Sequence, residues 1–215
     1  MPVNPVAENV LGTIGLIIWT VQIIPQIYKS WAERSTEGLS PWLVLLWGIS
    51  EGMLGAYTVL RSINVPLILQ PHLFGALALV SWGQCQYYGG QRSAWRASLM
   101  ALGAMLLIGG AEAGIVFAVR PAYNAGSAAG ERGVQFLGLF SSVLFVLGLL
   151  PQYVEVWRRR EVVGISILFM TCDMLGGMFS DLSLVFKSEF DVIAGMSYTL
   201  VIVCPTIFTS PAVLR

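Results

Sequence analysis

Apolar residues dominate seven stretches of the chain, and charged residues, glycine and proline mark the breaks between these stretches. Each stretch is close to the roughly 20 apolar residues that an α-helix needs to cross a bilayer. Hydropathy therefore predicts an all-α membrane protein with seven transmembrane helices. Their approximate ranges are 9–29, 41–60, 66–88, 97–119, 134–155, 165–186 and 191–210.

Composition agrees with this pattern, because only 11% of the residues are charged, against about 25% in a typical soluble domain. The mean hydropathy is +0.73. The spans leave no room for a separate soluble domain, so we expect one integral membrane domain over residues 1–215. A net charge of zero gives no reason to expect nucleic acid as a partner. No basic region precedes the first apolar stretch, which we interpret as a permanent span and not a cleaved signal.

The distribution of lysine and arginine predicts the orientation, because cytosolic loops carry the excess of positive charge. Eight basic residues lie on one side of the seven predicted spans and four on the other. The richer side includes the sequence "WRRRE" and the C-terminus. We therefore expect a cytosolic C-terminus and an N-terminus in a lumen or outside the cell.

Two segments, "QIIPQIYKSW" and "GLLPQYVEVW", share a Pro-Gln pair followed by a tryptophan six residues after the proline. Shifting the chain by 126 positions, from residue 25 to residue 151, superimposes both without a gap. The same shift aligns further glycine and serine positions, so the chain contains an internal duplication. The aligned pairs are Gly12 with Gly138, Pro25 with Pro151, Gln26 with Gln152, Trp31 with Trp157, Gly38 with Gly164 and Ser40 with Ser166.

Both Pro-Gln pairs come at the end of a span, just before a basic loop, so the two copies have the same orientation. Three-span units joined directly would be inverted relative to each other. We therefore expect two parallel three-helix bundles, 9–88 and 134–210, joined by a linker helix at 97–119 that restores the direction. Parallel repeats of this kind occur in transporters.

This arrangement resembles the PQ-loop repeat family, which contains lysosomal cystine exporters and vacuolar cationic amino acid exporters and is related in fold to SWEET carriers and the KDEL receptor. The resemblance covers about residues 12–203. Its most specific part is "GISILFMTCDMLGGMFS", which is similar to the signature of the second repeat. It implies that Asp173 occupies the proton-coupling position, and that Gly176, Gly177 and Ser180 fall on expected residue types.

Proline inside a helix removes one backbone hydrogen bond and kinks the helix. Pro25 and Pro151 are therefore candidate hinges at equivalent ends of two related helices. The neighbouring Gln26 and Gln152 can donate and accept hydrogen bonds, so they are candidates to satisfy the freed backbone groups. A static kink stabilised by packing is the alternative explanation.

Four carboxylates lie within the predicted spans: Glu51, Glu112, Asp173 and Asp181. A charged group in the bilayer costs about 2.5–3.5 kcal/mol on insertion scales, so these side chains are not expected to face lipid. Asp173 is the best candidate for proton coupling, and the glycines after it permit close approach of another helix. The first repeat has Trp47 at the equivalent position, and Glu51, one turn further on, is the second candidate. We interpret Glu112 as structural, and His72, the single histidine, as a hydrogen-bonded or water-facing residue.

These features predict a secondary transporter that moves a small polar solute, such as an amino acid or a derivative, with protons from an acidic vacuole or lysosome to the cytosol. The alternative is a receptor or nutrient sensor on the same fold without net transport. A retinal photoreceptor would need a lysine deep in the last span, which has none. No cofactor, metal site or enzymatic nucleophile is predicted, and whether copies form a homo-oligomer is left open.

Overall fold

The fold was analysed in a computed structural model that describes residues 3–159 and 167–208, and the side chains of all these residues except 152–170 and 204–208. The described residues form seven α-helices and no strands. The helices are α1 (Pro5–Glu33), α2 (Pro41–Leu60), α3 (Val65–Gln84), α4 (Ala94–Asn124), α5 (Ala128–Arg159), α6 (Ile167–Val185) and α7 (Val192–Phe208). One turn of π-helix, Cys85–Gly89, extends α3.

The helix starts follow from capping residues next to prolines. The Asn4 side chain accepts hydrogen bonds from the backbone N–H groups of Val6 and Ala7, and Pro5 opens α1. Asn64 caps α3 in the same way, and Ser93 caps α4. These side chains satisfy N–H groups that have no partner within the helix, and proline is tolerated at the first positions because its missing N–H is not needed there.

Five of the seven helices are long and apolar enough to cross a membrane within the described residues, and Val192–Val203 is a shorter apolar segment. The prediction of an all-α, seven-helix membrane protein is confirmed. Several helices extend beyond the predicted apolar ranges, notably α1 and α4. Hydropathy reports the part of a helix that prefers lipid, whereas the cap decides where the helix begins.

The helices pack in a symmetric pattern. Helix α3 contacts both α1 and α2, and α7 likewise contacts both α5 and α6. The two halves meet where α1 packs against α6 and where α2 packs against α5. Helix α4 packs against α2, α3 and α5. These contacts have the symmetry expected of two three-helix units and a linker. The boundaries of the two units, 9–88 and 134–210, and of the linker, 97–119, remain a prediction.

The seven helices have two ends, which we call the first face and the second face. The first face holds the N-terminus and the α2–α3, α4–α5 and α6–α7 connections; the second face holds the α1–α2 and α3–α4 connections. Helix α2 is the most enclosed of the candidate spans, whereas α4 is almost entirely exposed. In a bilayer, α4 therefore presents most of its surface to lipid and α2 forms the centre.

Candidate functional site

Asp173 lies where α1 packs against α6, and its side chain is buried. Gln22 Nε2 donates a hydrogen bond to Asp173 Oδ1 at 3.0 Å. Trp19 Nε1 donates to the Asp173 backbone carbonyl, also at 3.0 Å. Both donors come from α1, so one helix of the first half holds the acidic residue of the second half. The predicted carboxylate therefore faces the protein interior and not lipid.

Glu51 lies on α2 and is also buried. Its Cβ packs against Gly75 of α3, where an added side-chain carbon would lie only 3.0 Å away. Glu51 also lines a cavity of about 20 Å³ between the two halves. This volume holds about one water molecule, while pockets for small molecules measure roughly 300–1,000 Å³. Among the described residues, this cavity is therefore too small for a solute, which could reach Glu51 through it only after the helices separate.

Four buried polar atoms in this region have no hydrogen-bond partner among the described residues. An unsatisfied buried polar group costs about 1–3 kcal/mol, and native proteins contain few of them, so a cluster needs an explanation. A polar solute, or protons exchanged at the carboxylates, would supply partners. The atoms are Gln22 Oε1, Glu51 Oε2, Gln70 Nε2 and the Tyr198 hydroxyl.

Aromatic rings surround these polar groups. Trp19 lies 5.7 Å from Tyr198 and 6.3 Å from Phe74, measured between ring centroids. Trp47 stacks on Phe145 at 5.3 Å. Rings of this size exclude water and leave flat surfaces against which a side chain can pack. The aromatic groups connect α1, α2, α3, α5 and α7 into one core around the candidate site.

The glycines after Asp173 lie where α6 comes close to α1 and α7. A side-chain carbon at Gly176 would overlap the indole of Trp19, and one at Gly177 would lie 3.0 Å from Ile202 of α7. Ser180 is fully buried, and its single hydroxyl hydrogen has two acceptors in reach, Gln70 Oε1 at 3.2 Å and the Gly176 carbonyl at 2.9 Å. This part of α6 therefore contacts α1, α3 and α7.

Pro25 and Pro151 both lie inside continuous helices, α1 and α5. Gln26 Nε2 donates to the Ser30 hydroxyl at 3.4 Å, so this amide bonds to a side chain one turn further on and not to a carbonyl freed by proline. The side chain of Gln152 lies outside the described residues. The hinge role of both Pro-Gln pairs stays a prediction.

A polar network joins the two halves at the first face. Asp191, just before α7, accepts hydrogen bonds from the Tyr57 hydroxyl, from Arg61 Nε at 3.0 Å and from the Ala194 N–H at 3.0 Å. Burial alone would raise the pKa of Asp191, but these three donors outweigh it and hold the pKa below its ordinary value. Arg61 also donates to Tyr123 at 3.1 Å.

A second bridge on the same face centres on Asn64, which donates to Glu8 of α1 and Ser183 of α6 at 3.1 and 3.0 Å. Beside it, the Asn4 N–H donates to the Phe186 carbonyl at 3.1 Å. At the first face, the α2–α3 region is therefore hydrogen-bonded to α1 and to the α6–α7 region.

Sequence reasoning did not identify Gln22, Gln70 or Tyr198 as site residues, and it missed the network around Asp191. A signal was present only for the glutamines, which interrupt apolar stretches of their helices. Asp181, one of the four carboxylates in the predicted spans, accepts a hydrogen bond from Thr199 at 2.9 Å through one oxygen, and its other oxygen has no partner among the described residues. No group of three metal-ligating side chains occurs among the described residues.

The fold and the site together define a multi-pass helical membrane protein with an internal duplication and buried polar side chains between its halves. A family model for the PQ loop repeat matches the chain twice, at residues 7–67 and 133–193. The chain belongs to the PQ-loop repeat family. The two matches are separated by the same 126 positions as the Pro-Gln pairs.

Three relatives indicate where the chain stands within the family. An uncharacterized protein of Schizosaccharomyces pombe is 36% identical over 93% of this chain and 69% of its own length. Cystinosin of Drosophila melanogaster is 26% identical over 84% of this chain and 49% of its own length. The vacuolar lysine transporter of Saccharomyces cerevisiae is 28% identical over 38% of this chain and 26% of its own length. The chain thus spans about half of cystinosin, and the Saccharomyces cerevisiae relative is named as a transporter.

Proposed function

We propose that this protein is a secondary transporter that moves a small polar solute, an amino acid or a derivative, together with protons from an acidic organelle to the cytosol. One observation carries the proposal: the buried carboxylates Asp173 and Glu51 lie among partnerless polar atoms where the two halves of the protein meet. A structural core gains nothing from these costly groups, whereas a site for a polar solute and a proton requires them.

The small cavity at Glu51 and the contacts of the first face support transport by alternating access. The small cavity beside Glu51 and the bonded first face describe a conformation in which a solute cannot enter from that side. With the orientation predicted from the basic residues, the first face is lumenal. Rocking of the two halves would break the contacts of Asp191 and Asn64 and open the site to the lumen. Bending at Pro25 and Pro151 would accompany the movement, with Gln26 and Gln152 exchanging hydrogen-bond partners.

The relatives support the class of solute and the compartment. The vacuolar lysine transporter is named for an amino acid and for the vacuole. We therefore place this protein in a vacuolar or lysosomal membrane, with its N-terminus in the lumen. Its partners are the bilayer, protons and the solute.

Reconstituted vesicles with an imposed pH gradient test the proposal. Uptake of labelled L-lysine, L-histidine and L-cystine would be measured for the wild type, Asp173→Asn and Glu51→Gln. The matched control is Glu131→Gln, which makes the same kind of acid-to-amide change at a side chain that is 43% exposed and lies outside the site. We expect accumulation driven by the gradient in the wild type and the control, and its loss in the other two variants.

Two outcomes would contradict the proposal. Gradient-driven accumulation that survives Asp173→Asn would remove this residue from proton coupling. Saturable binding of one of these amino acids with no accumulation under any gradient would favour a receptor or sensor on the same fold.

A further inference from the structure

The linker helix carries one side of an acid–imidazole pair. Glu112 of α4 and His72 of α3 lie with Oε1 and Nε2 2.8 Å apart. The other ring nitrogen of His72, Nδ1, lies 2.7 Å from the backbone carbonyl of Ile68. A carbonyl only accepts hydrogen bonds, so Nδ1 carries a hydrogen. Whether Nε2 also carries a hydrogen then depends on how the proton is shared with Glu112.

The bond between Nε2 and Glu112 contains one proton in either of two arrangements. With the proton on nitrogen, the pair is an imidazolium and a carboxylate; with the proton on oxygen, it is a neutral imidazole and a carboxylic acid. Both arrangements have zero net charge. This neutrality explains how an acid can occupy a helix whose surface is almost all exposed to lipid, since an unpaired charge there would be costly.

The pair is adjacent to Glu51. A side-chain carbon on Gly55 of α2 would meet Glu112 Oε1 at 2.7 Å and His72 Cε1 at 3.2 Å. Gly55 is one helical turn from Glu51 on α2, and Gly75, which contacts Glu51, is one turn from His72 on α3. Glycines at 55 and 75 therefore allow the pair and Glu51 to approach along one seam between the two helices.

The charged groups around this seam are few. Glu112 and Glu51 act electrostatically on His72, and Glu51 is also influenced by Asp173 of α6. Tyr198 of α7 is within the electrostatic range of Glu51. The polar group that α1 contributes is Gln22, which bonds to Asp173. The pair is thus the titratable unit that links the outer surface of α3 and α4 to the interior carboxylates.

The His72 imidazole is partly exposed on the part of α3 that lies toward the first face. His72 is seven residues from the start of α3, a rise of about 10 Å along the helix, and 40% of its side chain is exposed. Glu51, in contrast, is buried at the centre. A proton that arrives at the imidazole would have a path inward that does not pass through the cavity between the two halves.

We propose that His72 and Glu112 form a second proton-carrying site, which exchanges protons with Glu51 and brings the linker helix into the proton pathway. In the transfer, the Glu51 carboxylate gains a proton and becomes neutral, and the pair retains a neutral imidazole beside a carboxylate. A proton from the first face then restores the pair. The proposal rests on the proposed function, in which Glu51 takes part in proton coupling.

A transport measurement separates a proton-carrying pair from a structural hydrogen bond. In the double variant His72→Gln with Glu112→Gln, two amides can keep a hydrogen bond between α3 and α4 but hold no titratable proton. We expect it to lose gradient-driven uptake of L-lysine, L-histidine and L-cystine while it keeps solute exchange without a gradient. The control is Ser98→Ala, an exposed change on the same linker helix. Wild-type gradient-driven uptake by the double variant would overturn the proposal.

A second measurement needs no solute, so it distinguishes failure of this inference from failure of the proposed function. Infrared spectra of the purified protein would follow the carboxylic acid band of Glu51 against pH, assigned as the band absent from Glu51→Gln. The single variants leave a lone imidazole in Glu112→Gln and a lone carboxylate in His72→Gln. The midpoint of the Glu51 titration should then fall in Glu112→Gln and rise in His72→Gln. Each change should be about one pH unit, the usual effect of a neighbouring charge. Curves that coincide with the wild type would show that the pair does not communicate with Glu51.

Discussion

The first-face network allows a quantitative prediction for Asp191→Asn. Asparagine keeps the size of the side chain and one acceptor oxygen, but it removes the charge that three donors share. A hydrogen bond to a charged group contributes about 1.5–3 kcal/mol and a neutral one about 0.5–1.5 kcal/mol. The loss is therefore about 1 kcal/mol for each bond, or about 3 kcal/mol for the network.

This loss should shift the balance between closed and open first faces, because the network bridges α2 and the α6–α7 region. A change of 1.4 kcal/mol corresponds to tenfold, so we expect the open fraction to rise by about a hundredfold. The assay is the rate at which a membrane-impermeant maleimide labels Leu54→Cys, a buried position that lines the central cavity. The background would have Cys85, Cys172 and Cys204 replaced by alanine.

Glu131→Gln is the matched control. Glu131 lies 3.6 Å from Arg61 and its side chain is 43% exposed, and an exposed ion pair of this kind contributes about 0–1 kcal/mol. Labelling in this variant should stay within about fivefold of the wild type. Equal labelling rates in Asp191→Asn and Glu131→Gln would refute the assignment of the Asp191 network as the closure of this face.

The pH dependence of the same assay has a definite sign. The pKa of Asp191 is lowered in the folded protein, so its contribution is present above the unfolded value of about 3.9 and is lost only as the pH falls through the folded value. Labelling of the wild-type background should therefore stay slow between about pH 5 and 7. A lumen between about pH 5 and 7 would leave Asp191 ionised, so protonation of Asp191 would not open the first face. Other groups would have to cause the opening.

Three further predictions concern packing, hinges and orientation. Gly176→Ala should lower the free energy of unfolding by about 1–3 kcal/mol, because the methyl group overlaps Trp19. Gly103→Ala, which has open space around it, should be neutral or slightly stabilising. Thermal unfolding in detergent compares the two variants, and equal melting temperatures would contradict the contact between Gly176 and Trp19. Pro151→Ala should slow turnover more than it weakens solute binding, and unchanged turnover would favour a static kink. Single cysteines in the "WRRRE" segment, part of which lies outside the described residues, should be labelled only from the cytosolic side, and labelling from the lumen would reverse the orientation.

The fold could be predicted from the sequence because its determinants are local. Apolar stretches of the right length set the seven helices, and Asn4, Asn64 and Ser93 set three of the starts through their own side chains. Burial of Asp173 and Glu51 was also predictable, since an ionisable side chain facing lipid carries a large cost. Each of these inferences needs only neighbouring residues and the nature of the solvent.

The contacts of the site could not be predicted, because they depend on the relative rotation of helices far apart in sequence. Gln22 and Asp173 are 151 positions apart, and a turn of α1 by one residue would point Gln22 elsewhere. The pairing of His72 with Glu112 depends in the same way on how α3 and α4 are placed. Sequence analysis treated these two residues separately, as a plain hydrogen-bonding histidine and a structural acid, because no periodic pattern links them.

The duplication places an apolar contact at the position equivalent to the Gln22–Asp173 pair. The shift of 126 positions places Gln22 opposite Gly148 and Asp173 opposite Trp47, so the polar pair between α1 and α6 has an apolar counterpart between α5 and α2. The counterpart keeps the same contact, since a side-chain carbon on Gly148 would lie 3.3 Å from Trp47, and Trp47 also stacks on Phe145. Identical polar pairs in both halves would place two acidic side chains at equivalent positions, with a second desolvation cost. The difference between the two copies therefore confines the Gln22–Asp173 type of polar contact to the interface between α1 and α6.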